Sequence, residues 1–201
     1  MKHKTLYKKL AAFAPKFYGE KTMGQIMYWV RKMLKPHGVK VNRIIDKTNT
    51  ALSAFTVGGF YDPYHEFDEA DIEMYLVFNE CERDNAFFFD EETTDILINE
   101  LFITLSHEKR HKYQFRKRGQ NYGAKYKCKV TDENLKQQLE YYGDSDEIDS
   151  YAIEHVLELQ LHKATEVTTR DKYRELFAKY DPKIYNKFLK KYYKFNQQII
   201  L

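Results

Sequence analysis

Two histidines and a glutamate carry the clearest chemical signal in this chain: His107-Glu108-Lys109-Arg110-His111. On an α-helix, residues four apart share a face. Both imidazoles can therefore reach one ion at the roughly 2.0–2.1 Å that a zinc–nitrogen bond requires. Glu108 turns to one side of the pair and is placed to take a proton from a water activated by that ion. The pattern points to zinc-dependent hydrolysis, with His107 and His111 as ligands and Glu108 as general base. The competing reading is a solvated His/Glu/Lys stripe on a surface helix. The setting favours the metal: Ile96, Leu97, Leu101, Phe102 and Leu105 form an apolar helical face just before the motif.

A catalytic zinc takes a third protein ligand and keeps one position open. The extended motif with glycine at position 114 and a third histidine at 117 is excluded, because Gln114 and Lys117 stand there. The expected source is the helix opened by Asp146-Glu147-Ile148-Asp149-Ser150-Tyr151-Ala152. Glu147 is preferred to Asp149, although a first-turn acid is also favoured by the helix dipole alone. With Glu147 facing the metal, Tyr151 and His155 follow on the same stripe, and either can donate a hydrogen bond to an oxyanion. Packing and supporting hydrogen bonds compete with that role for both.

These residues need a scaffold. Apolar periodicity predicts a helix over Met23 to Leu34, stopped by Lys35-Pro36-His37-Gly38. Strands are expected over Val39–Ile45, Leu52–Phe60 and Asp71–Phe78, with a turn at Tyr61-Asp62-Pro63-Tyr64 and a polar loop over Asn79–Asn85. The motif helix is capped by Asp90 or Thr93 and ends near Gly119. A lysine-rich loop with Gly123 and a short helix over Asp132–Tyr142 come next. The following helix runs from Glu147 to about His162, with Ser145 or Asp146 as cap. Basic helices broken near Asp181-Pro182 close the chain. Strands and helices are segregated, which predicts an α+β fold with an antiparallel sheet. A single domain is expected, with N-terminal helices over 1–38, a catalytic core over 39–162 and a basic helical tail over 163–201.

The run Thr104-Leu105-Ser106-His107-Glu108-x-x-His111, with Glu147-Ile148-Asp149-Ser150-Tyr151-Ala152, resembles the gluzincin side of the zincin metallopeptidases. It looks closest to the small SprT-like and ImmA/IrrE-like intracellular or phage-encoded kinds. The resemblance covers about 54–162. It implies a small antiparallel-containing sheet packed on the active-site helix, zinc as cofactor, peptide substrates and Glu147 as third ligand. It also implies that the strand Asp71–Phe78 forms the substrate-binding edge, with Gly58-Gly59, Phe60, Tyr61 and Tyr64 near the cleft. Charged Lys109 and Arg110, and Tyr151 where some relatives carry Asp or Asn, depart from the family pattern.

The remaining features set bounds. The 201 residues suffice for a core without disulfides, and Cys81 and Cys128 sit in no metal or redox spacing. Neither cysteine has a nucleophile's signature; His65, His155 and His162 could serve as extra ligands, although a lone histidine is more often a surface or core residue. No stretch reaches the ~20 apolar residues of a membrane span. The basic N-terminus, Met1–Lys21, reads as an amphipathic helix rather than a leader, so a cytoplasmic location in a bacterial or virally infected cell is expected. The net charge of +3 decides no partner. The alternative function is a catalytically inactive zincin-like protein or a binding module. In that case the Tyr-rich basic tail from Lys172 to Phe195 would hold nucleic acid.

Overall fold

The computed structural model describes residues 3–46, 55–63, 71–79, 86–119, 126–161 and 168–201. Tyr64, His65, Cys81, Gly123, His162 and the first residues of the second expected strand lie outside them. The fold is mixed α+β, with small sheets and seven α-helices among the described residues. It divides into two compact units, Met1–Glu108 and Lys109–Leu201, and the helix bearing the His-Glu motif runs unbroken through the boundary. Among the described residues no helix is long and apolar enough to cross a membrane.

The first unit opens with α1 (His3–Ala11), whose Leu6 and Leu10 are buried. α2 (Met23–Leu34) starts at a capping box. Thr22 N–H donates to Gln25 Oε1 at 2.9 Å and Gln25 N–H to Thr22 Oγ1 at 3.3 Å, satisfying two amides the helix leaves unpaired. Pro36 then closes a short 3₁₀ turn, and Gly38, at φ 68°, reverses the chain into the sheet.

That sheet has three strands in the order β2-β4-β3: β2 (Val39–Asp46), β3 (Phe55–Tyr61) and β4 (Ile72–Asn79). Along β4 the residues Ile72, Met74, Leu76 and Phe78 are buried and alternate with half-buried neighbours, the signature of a sheet covered on one face. Two expectations are corrected here. The sheet is mixed rather than antiparallel, because β2 runs parallel to β4, from Val39 opposite Ile72 to Asp46 opposite Asn79. The strand expected at the edge is central, so β4 offers no free edge for a peptide; β3 and β2 flank it. Period-two patterning fixes which face is buried and is silent about which strands pair.

A second, two-stranded sheet escaped the sequence reading: β1 (Gly19–Lys21) pairs antiparallel with β5 (Phe87–Phe89). Three residues are too few to show a period. Phe87 and Phe89 point into the core, against Phe78 and Phe17, and Phe88 points out.

α3 (Glu91–Arg118) is 28 residues long, about 42 Å at 1.5 Å per residue. Asp90 caps it: Thr93 N–H donates to Asp90 Oδ1 at 2.8 Å, and Asp90 N–H donates to Thr93 Oγ1 at 2.9 Å. The Thr93 N–H and the Thr93 hydroxyl, both donating to Asp90 Oδ1, hold the Asp90 carboxyl below the usual carboxylate range. Leu97, Leu101, Phe102 and Leu105 are buried as expected, but Ile96 is 54% exposed and Ile98 takes its place inside. The helix ends at Gly119 in the left-handed conformation, φ 53°.

In the second unit, α4 (Glu133–Tyr142), α5 (Ser145–Gln160), α6 (Thr169–Phe177) and α7 (Pro182–Asn196) follow α3. The turn between α4 and α5 depends on Gly143, where a Cβ would stand 2.3 Å from the Tyr126 ring. α5 is capped by Asp144, which accepts from Asp146 N–H at 2.9 Å, one residue earlier than the expected caps Ser145 and Asp146. Tyr173 is the packing centre, stacked on Phe188 at 4.2 Å and donating its hydroxyl to Tyr142 O at 2.9 Å. The break at Asp181-Pro182 is as read: Asp181 caps α7 and proline takes its first turn.

Candidate metal centre

α3 presents one stripe to its surroundings in its second half: His107, His111, Gln114 and Arg118, at i, i+4, i+7 and i+11. From His111 onward each member meets the first turn of α5. His111 Nε2 lies 3.4 Å from Glu147 Oε1. Gln114 Nε2 donates to Asp146 O at 3.0 Å, and Arg118 pairs with the Asp146 carboxylate. His107, one turn earlier on α3, completes a grouping with His111 and Glu147 in which one ligand atom from each lies within 4.8 Å of the others.

The donor set, two imidazoles and one carboxylate within 4.8 Å of one another, is of a kind that can hold a zinc ion. Two ligand atoms bound at about 2.05 Å in a tetrahedron stand about 3.3 Å apart, and the observed His111–Glu147 separation is 3.4 Å. Two imidazoles and one carboxylate also leave one of four positions open. His107 and His111 are buried and Glu147 is half-buried.

Asp149, the other acid considered as a ligand, has separate partners. Arg110 Nη2 reaches its Oδ2 at 2.7 Å and Lys191 Nζ its Oδ1 at 2.7 Å. Burial pushes the Asp149 carboxyl up, but Lys191 and Arg110 outweigh it and hold the group below the usual carboxylate range. The Arg110 guanidinium also lies over the rings of Tyr113 and Phe195, at 5.0 and 5.1 Å. The charge inside the motif is thus structural: Arg110 binds α3 to α5 and to the end of α7. Sequence reasoning missed Arg110, Gln114, Arg118 and Lys191 as supports. The signal was available in the spacing, since 107, 111, 114 and 118 continue one helical stripe.

Glu108 is buried beside β3. A Cβ at Gly59 would stand 2.9 Å from Glu108 Cγ, 3.0 Å from its Oε1 and 2.7 Å from Thr104 Cγ2. Glycine is needed here so that the strand can approach the helix closely. The Glu108 charge also reaches Tyr75 on β4, whose hydroxyl is pushed up first by burial and then by its bond to Glu73. Gly59→Ala is expected to cost about 1–3 kcal/mol through overpacking. Gly58→Ala, with open space around the added methyl, should cost less. Denaturant unfolding of the two variants checks the difference.

The other expected site residues sit elsewhere. Tyr151 packs in a cluster of rings with Tyr142 at 5.1 Å and Tyr173 at 5.9 Å, and burial raises its hydroxyl far above the ordinary range. His155 lies about 12 Å along α5 from Glu147. Its Nδ1 is 3.2 Å from Glu158 Oε2, and its ring packs on Tyr192 and Phe188. Glu158 in turn accepts from Thr169 Oγ1 at 2.9 Å, which fastens the start of α6. Of the cleft residues, Phe60 is 54% exposed and Tyr61 is buried.

In the basic tail, Ile184, Phe188 and Phe195 of α7 are buried and Lys183, Lys187, Lys190 and Lys194 are exposed, while Lys191, half-buried on the same stripe as the apolar residues, is committed to Asp149. Comparison with protein-family models, curated proteins and solved structures finds no match to this chain.

Proposed function

We propose that the chain is a zinc-dependent metallopeptidase in which His107, His111 and Glu147 hold the ion and Glu108 is the general base. The observation that carries this reading is the convergence of the three ligand atoms within 4.8 Å, beside a buried glutamate adjacent in sequence to one of them. Zinc bound there would lower the pKa of water towards 7 and polarise a carbonyl. Glu108 takes the proton from the attacking water on its carboxylate and passes it to the departing amine nitrogen. Arg110, Gln114 and Arg118 keep the first turn of α5 in place, so that Glu147 meets His111 without rearrangement.

A peptide substrate is favoured by the strand beside the base. Among the described residues β3 is an outer strand of its sheet, and it carries Gly59 against Glu108. An extended chain adds to such a strand through main-chain hydrogen bonds, which places its carbonyls in a regular row. This assigns to β3 the role that the sequence suggested for β4.

The test is metal dependence. Purified protein should contain about one equivalent of zinc and cleave an unfolded protein or a peptide library. A chelator should abolish cleavage, and added zinc should restore it. Cleavage indifferent to the chelator, or protein that takes up no metal, would end this proposal.

A further inference from the structure

The solvent face of α2 is unlike an ordinary helix surface. Its core side is filled by Met23, Ile26, Met27, Val30, Met33 and Leu34. The opposite side carries Tyr28, 56% exposed, and Trp29, the only tryptophan in the chain. The two rings meet edge to face at 4.9 Å. Lys32 Nζ lies 5.8 Å from the Tyr28 ring and 5.2 Å from the Trp29 ring, and Lys16 Nζ lies 5.6 Å from Trp29. Neither ammonium has a carboxylate partner among the described residues. The stretch of chain that carries the patch is basic: eleven lysines and arginines and a single acid, Glu20, fall between Met1 and Ile45.

We propose that this patch, Tyr28, Trp29 and Lys32 with Lys16, binds single-stranded nucleic acid. An exposed ring, Tyr28, and a half-buried one, Trp29, beside unneutralised cations match a ligand with flat bases and a phosphate backbone. An anionic lipid surface fits less well, because the aliphatic side chains of α2 face inward and none is left to enter acyl chains. A duplex fits less well too, since its bases are already stacked and unavailable to Tyr28 and Trp29. The inference stands apart from the metal centre and needs no ion.

The experiment uses the full chain with fluorescent oligo(dT) and oligo(U) of about 15 nucleotides, read by anisotropy, and with unlabelled oligomers read by Trp29 emission. Binding should quench Trp29 and persist in chelator. The slope of log K against log salt should be about −1.4 if Lys16 and Lys32 each displace one counterion. Trp29→Ala should weaken binding about tenfold. The double variant Tyr28→Ala/Lys32→Glu changes exposed positions only and should weaken it at least as much. A variant of α7, Lys187→Glu/Lys190→Glu, should leave it unchanged. Several results would overturn the proposal: no binding at low salt, equal binding of a duplex with no change in Trp29 emission, capture only by phosphatidylserine vesicles, or loss through the α7 variant with the α2 variants intact.

Discussion

Glu108→Gln is expected to lower the rate of peptide cleavage by about 10²–10⁴-fold, the range for losing a positioned general base, while zinc content stays at about one equivalent. Glutamine has the shape of glutamate, so it should fit the buried space beside Gly59 and Thr104 that glycine leaves open. Its amide cannot accept the proton that the carboxylate takes. The metal should stay, because the grouped ligand atoms belong to His107, His111 and Glu147 and not to Glu108. The loss should therefore fall on kcat, with KM nearly unchanged, as expected for an interaction made only in the transition state. Steady-state kinetics and metal analysis on the same sample separate the two effects. A variant as active as the parent would remove Glu108 from the chemistry, whatever the ion does.

The parts of this molecule that were legible beforehand are those encoded over many residues. Apolar periodicity located α2, α3 and β4, and the spacing of His107 and His111 placed both rings on one face. Helix breaks were equally readable, because Gly119 and Asp181-Pro182 act through local backbone geometry. What was not legible depends on partners distant in sequence. Nothing in Asp71–Phe78 says that Val39–Asp46 lies parallel to it, and so a central strand was read as an edge. Within one helix, Tyr151 and His155 show how packing depends on distant partners: Tyr142 and Tyr173 lie against Tyr151, and Phe188 and Tyr192 against His155.

The choice between Glu147 and Asp149 is the instructive case. Both are acids near the start of α5, and composition cannot rank them. The discriminating fact is Arg110, which lies inside the motif and is three residues past His107. With Lys191 it occupies Asp149 from both sides, while Glu147 lies beside His111. Arg110 and Lys191 thus pair with one carboxylate and leave the other beside the histidine.

His111→Ala should raise the dissociation constant for zinc by more than the ~10–100-fold that loss of a supporting group costs, because it removes a ligand outright. The consequence reaches stability. At free zinc about a thousand times the parent's dissociation constant, binding adds about 4 kcal/mol to the folded state. That corresponds to a rise in Tm of roughly 10 °C for a chain of this size. At the same zinc concentration a variant weakened 100-fold keeps about 1.4 kcal/mol, and its Tm should rise by only about 4 °C. Glu147→Gln should behave like His111→Ala, since its Oε1 is the atom 3.4 Å from His111 Nε2. Asp149→Asn should instead keep most of the zinc response and lower the metal-free stability, because Arg110 and Lys191 lose their shared counter-charge. Thermal unfolding of the three variants, each with chelator and with zinc, gives a pattern that a folding defect alone cannot imitate. A zinc response lost in Asp149→Asn and kept in Glu147→Gln would transfer the third ligand to Asp149, and the geometry derived for the first turn of α5 would be wrong.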